Sequence, residues 1–119
     1  MIIQKPFFMH PDLKIWLKDI ELSINEINDF LLPVKNYSNF QKDLKTRKAV
    51  ERNIEIIGEA LNRILKFDPH IEMSDSRKIV DTRNRIIHGS VTADVLWLIV
   101  NRYLLIFEAE VERLLQDDE

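Results

Sequence analysis

At 119 residues the chain has the length of one domain, and its 45% hydrophobic residues are enough to fill a core. Charged residues make up 31% and are interleaved with apolar ones, which excludes a disordered chain, while only two glycines and four prolines exclude a turn-rich β-sandwich. The net charge of −3 excludes a broad basic face, though a few converging cations still suffice for a local phosphate contact, and the absence of cysteine excludes disulfides and thiolate zinc sites.

The opening MIIQKPFFMH lacks the basic-then-apolar run of a signal peptide, and no apolar stretch approaches the roughly 20 residues of a bilayer span. A cytoplasmic protein with no membrane partner is expected. Pro11 opens a first helix, Asp12 suits its positive end, and Leu13, Trp16, Leu17, Ile20, Ile24, Ile27 and Leu31 recur at helical spacing until Pro33 stops it. Ser38, with Gln41 three positions on, predicts a capping box and a short helix around Phe40 to Leu44.

A third helix, from about Thr46 to Phe67, carries Val50, Ile54, Ile57, Leu61 and Ile64 as a bundle seam. Gly58 lies beside that stripe, where its use is to let another backbone approach. The chain breaks at Asp68-Pro69-His70, Ser74 and Asp75 offer caps for a fourth helix, and Gly89 ends it as a left-handed residue. A final helix runs from the Thr92 cap to about Leu115. Its stretch Val95 to Val100 is apolar on every side, which predicts burial inside the bundle or in a subunit interface. The fold class is all-α: an up-and-down bundle of four to five helices forming one domain over residues 1–119.

The chemistry concentrates in Asp81-Thr82-Arg83-Asn84-Arg85-Ile86-Ile87-His88-Gly89-Ser90. On a helix, Arg83 and His88 stand about 140° apart around the axis and about 7.5 Å along it. They share no face, whereas Asn84 and His88 are four apart and do. A site using both Arg83 and His88 therefore needs either an unwound helix end or a second copy of the chain. Histidine titrates near neutrality and suits proton transfer, arginine offers a planar fork for phosphate, and Asn84 can orient the imidazole. A plainer reading makes Arg83 and Arg85 solvated charges paired with Asp81, and His88 a dipole-favoured end residue. His10 and His70, beside prolines, read as exposed.

The segment Arg83 to Gly89, R-N-R-I-I-H-G, resembles the R-x-x-x-x-H signature of HEPN domains. Ala49 to Ile64, A-V-E-R-N-I-E-I-I-G-E-A-L-N-R-I, resembles the long helix that precedes it in the HepT-like branch, and the similarity runs from about Leu13 to Val100. The resemblance implies a homodimeric, metal-independent endoribonuclease toxin that needs no cofactor, takes RNA as substrate and pairs with an MNT-type nucleotidyltransferase antitoxin. Position by position, it puts the catalytic arginine on Arg83, the histidine on His88 and the polar neighbour on Asn84. In that branch the motif continues as H-x-Y, and the tyrosine receives AMP from the antitoxin. Here Ser90 stands in its place, as a shorter acceptor or as a sign of control by binding alone. The competing functional class is a non-catalytic binding subunit of a two-component nucleotidyltransferase, which the acidic charge and the missing tyrosine favour.

Overall fold

A computed structural model describes residues 9–117. The reading of the N-terminal stretch falls largely on residues 1–8 and lies outside the described part. Helix α1 covers Pro11–Leu31, α2 Tyr37–Lys42, α3 Leu44–Phe67, α4 Ser76–Ile87 and α5 Ala93–Leu98. A π-helical turn, Ile99–Tyr103, then joins α5 to α6, Leu104–Gln116, in one rod. The described part is thus all-helical, with four long helices and the short α2, as the periodicity predicts. None of its helices is long and apolar enough to cross a membrane.

Contacts between side chains set the directions. Phe67, at the end of α3, stacks on His10 and Trp16 at the start of α1, so these two helices run antiparallel. Gly58 meets Arg83 and Ile79, while Arg47 shares a cleft with Gly89 further along, which makes α4 antiparallel to α3. Ser74 donates its N–H to the Glu110 carboxylate, and Lys78 donates to the Tyr103 hydroxyl at 2.7 Å, so the last rod runs back along α4. The topology is up-and-down.

The core is the set of seams read from the sequence. Leu17, Ile20, Ile24 and Ile27 of α1 meet Val50, Ile54, Ile57, Leu61 and Ile64 of α3, all sealed from solvent, with Trp16 and Leu31 at the margin. Ile79 and Ile86 of α4, then Leu96, Ile99, Leu104, Phe107 and Val111, close the other side. Removing a residue such as Ile57 costs about 2–5 kcal/mol, because the close-packed surroundings relax only in part.

Three helix starts differ from expectation. Ser38 does not cap α2: Asn36, in extended backbone, accepts the Asn39 N–H at 2.9 Å, so the helix begins at Tyr37 and carries Phe40 into the core. Asparagine caps at least as well as serine, and the earlier start lets Phe40 be buried. The helix also ends sooner, because Asp43 leaves helical backbone and caps α3, its carboxylate accepting the Thr46 N–H and hydroxyl. Asp75 precedes α4 with a left-handed φ of 58°, which aspartate tolerates better than most residues, and makes no side-chain cap. Thr92 precedes α5 but turns its hydroxyl to Asp94, a hydrogen bond that holds that carboxyl below its ordinary range.

Within Val95 to Val100, Leu96, Ile99 and Val100 are buried, Val95 and Trp97 half-buried, and Leu98 exposed. The bundle takes up most of this apolar stretch. At the π turn, the Leu104 N–H reaches back to Ile99, and Asn101 donates its side-chain amide to the Trp97 carbonyl at 2.8 Å. The extra residue shifts the helix phase there, and Leu105 and Ile106 are exposed about two turns beyond Leu98.

Candidate functional site

The last turns of α4 are held by three features of the sequence. Ile79, Thr82 and Ile86 are buried and pin one face of the helix against the bundle. Gly58 lets α4 lie close: a Cβ at that position would fall 2.5 Å from the Arg83 Cβ, 2.8 Å from its Cγ and 3.6 Å from the Ile79 carbonyl. Gly89 closes the helix at φ 71°, with its N–H donated to the Ile86 carbonyl at 3.0 Å and the Ser90 N–H to Arg85 at 2.8 Å. This is a Schellman motif, which satisfies carbonyls that would otherwise lack partners. The helix end does not unwind.

Arg83 therefore emerges on the flank that faces α3, half-buried, its Cβ and Cγ set over Gly58. Its Nε is sealed from solvent with no hydrogen-bond partner. A buried donor left unpaired costs about 1–3 kcal/mol, and more when charged, so Arg83 sits in an environment that does not complete its bonding. His88 occupies the C-cap position on the exposed side, its N–H donated to the Asn84 carbonyl at 3.1 Å. Asn84 and His88 share that exposed face, as their spacing predicts. No hydrogen bond or ion pair joins Arg83 to either of them among the described residues. Ser90 is exposed, and its hydroxyl donates back to the Arg85 carbonyl at 3.3 Å.

Local charge runs against the chain's net acidity. Helix α4 carries Arg77, Lys78, Arg83 and Arg85 against one aspartate, Asp81. None of these cations takes part in an ion pair among the described residues, so the pairing of Arg83 and Arg85 with Asp81 is not formed. Lys78 instead lies 4.3 Å from the Tyr103 ring centre, and a shallow groove of about 290 Å³ brings Lys78, Asp81 and Arg85 of α4 beside Leu98 and Tyr103. Unpaired cations on one short helix suit the oxygens of a phosphodiester.

Sequence reasoning did not single out Arg47, whose Nε is likewise sealed without a partner. His10 and His70 are exposed, and His10 accepts the Asp12 N–H as the cap of α1.

The ribonuclease HepT-like family profile matches residues 20–114. Two proteins of Methanocaldococcus jannaschii are similar to the chain. One, named "Putative RNase MJ0127", is 28% identical over 114 residues, covering 91% of each chain. The other, "Putative RNase MJ1380", is 34% identical over 104 residues, covering 85% of this chain and 94% of its own. No solved structure matches at the same stringency. The profile spans the seam of α3, the Arg83–His88 turn and the last rod, and on that match the chain belongs to the ribonuclease HepT-like family of the HEPN superfamily.

Proposed function

We propose that the chain is a metal-independent endoribonuclease toxin that cuts RNA at a composite site between two copies. The observation that carries this reading is the placement of Arg83 and His88 on different flanks of an intact α4. Within one chain the guanidinium and the imidazole have no groove in common, so a second copy must bring its own to the same phosphate. The unpaired cations of α4 and the exposed Ile87 and Leu98 beside them suit a face that meets both a partner and a polyanion.

The chemistry needs few groups. The ribose 2′-hydroxyl loses its proton to an imidazole and attacks the adjacent phosphorus. The 5′-oxygen leaves with a proton from a second donor, and the arginine fork stabilises the charge on the equatorial oxygens. Asn84, on the face of His88, holds the ring or donates to the phosphate. The products are a 2′,3′-cyclic phosphate and a 5′-hydroxyl. Digestion of RNA in EDTA tests the assignment: the wild type is expected to cut and leave cyclic phosphate ends, and Arg83→Ala and His88→Ala are not. Undiminished cutting by His88→Ala removes it.

The partner in this reading is a nucleotidyltransferase antitoxin of the MNT type. Ser90 is its acceptor position, with a hydroxyl on an exposed turn beside His88. Co-purification with such a transferase, followed by mass spectrometry of the Ser90 peptide, is expected to show the gain of one AMP. An unmodified peptide in a neutralised complex points to masking instead. The serine in place of tyrosine favours a second reading, a non-catalytic binding subunit. Harmless expression of a folded dimer that leaves RNA intact selects that one.

A further inference from the structure

We propose that Arg47 forms a second phosphate subsite, taking the linkage of a single-stranded RNA next to the one that is cut. This rests on the endoribonuclease reading and adds a binding residue to it. The subsite is the cleft of about 240 Å³ between the start of α3 and the turn that joins α4 to α5, where Arg47 and Glu51 face Gly89 and Thr92. Gly89 follows His88 directly, so the cleft opens beside the helix end that carries the imidazole.

Arg47 is committed to nothing inside the chain. It is half-buried, its Nε is sealed and unpartnered, and no ion pair includes it among the described residues. Glu51, the one carboxylate lining the cleft, stands one helical turn away, yet it is Lys48 that lies 3.8 Å from it. The Thr92 hydroxyl is turned to Asp94. A guanidinium in a cleft where Glu51 faces Lys48 and the Thr92 hydroxyl faces Asp94 is matched by a ligand that brings its own oxygens, and a phosphodiester presents two to a planar fork.

The same pattern, a half-buried arginine with a sealed and unpaired Nε, occurs at only two places among the described residues, Arg47 and Arg83. Both flank the last turns of α4. Lys45 and Lys48, exposed on the same helix start, add cations beside Arg47. A strand whose scissile phosphate sits in the composite site, with His88 of this chain on one side of it, meets Arg47 at the next phosphate. A single strand is favoured because the acidic chain lacks the broad basic face that a duplex needs.

The test compares Arg47→Met, which keeps the stem and removes the charge, with Arg47→Lys. Binding of a fluorescent oligoribonucleotide is measured in the His88→Ala protein across a salt series. The Met variant is expected to bind roughly ten-fold more weakly, as the loss of one charge-assisted contact implies. The slope of log K against log salt is expected to fall by about 0.7, one phosphate contact on a single strand. The Lys variant is expected to recover most of that slope. In the active protein, the preference for an oligonucleotide over a dinucleotide with a single linkage is expected to shrink in Arg47→Met, mainly through KM. Unchanged binding and slope overturn the subsite, as does an equal loss on both substrates. Should the wild type cut neither substrate, the endoribonuclease reading fails, while the binding arm still decides whether Arg47 holds a phosphate.

Discussion

Gly58 is where a single missing Cβ decides most. An alanine there improves helix propensity by about 1 kcal/mol, but its Cβ lands 2.5 Å from the Arg83 Cβ, an atom fixed to the α4 backbone. The neighbour cannot rotate away, so α4 must shift. Gly58→Ala is expected to destabilise by about 1–3 kcal/mol in urea unfolding, and to lower RNA cleavage further than that loss explains. Unchanged stability contradicts the close approach. Gly89 behaves differently. Its φ of 71° is the only obstacle, since the space around it is open. Gly89→Ala is expected to cost about 1–2 kcal/mol in the same measurement, and Gly89→Asn less, because asparagine tolerates left-handed backbone. The need for both glycines was legible in the sequence. That the residue packed on Gly58 is Arg83 was not, because periodicity fixes which face of a helix is apolar and not which side chain stands opposite a gap.

Among the elements, the start of α3 shows a local bond governing a global property. The Thr46 hydroxyl, then its N–H, hold the Asp43 carboxyl below its ordinary value. A carboxyl whose folded pKa is depressed contributes stability above its unfolded pKa, near 3.9, and loses it as pH falls through the lower folded value. Unfolding midpoints from neutral pH down to about pH 2 are therefore expected to show the wild type more stable than Asp43→Ala at neutral pH, with the gap closing in acid. A gap independent of pH contradicts the role given to the charge. The rival signal, Ser38 with Gln41, shows why helix starts are the hardest element to place. Asn36 and Ser38 are both competent caps for α2, and the burial of Phe40 chooses Asn36. The π turn was illegible for a related reason: Val95 to Val100 is apolar all round and carries no phase from which a shift can be read.

At the scale of the molecule, the seams of α1 and α3 specified the bundle, because apolar residues spaced by three and four bury fully only against other helices. The separation of Arg83 from His88 was also legible, as geometry on an ideal helix. Arg47 was not, since a run of lysine and arginine at a helix start reads as a solvated face until the fold closes a cleft around it. The proposed composite site would make association of two chains a condition of activity. Leu98 is 46% exposed and shares a groove with Asp81 and Arg85 of α4. Leu98→Glu is expected to yield a folded monomer by light scattering, with cleavage lost; a dimer that still cuts RNA moves the interface elsewhere.

The most direct measurement of the composite site mixes two inactive proteins. Arg83→Ala and His88→Ala, co-expressed with different tags and purified as the mixed dimer, retain one intact arginine and one intact histidine on opposite chains. Recovery of RNA cleavage by that mixed dimer, absent from either parent, is the expected result. A mixed dimer as inert as its parents contradicts catalysis shared between two subunits.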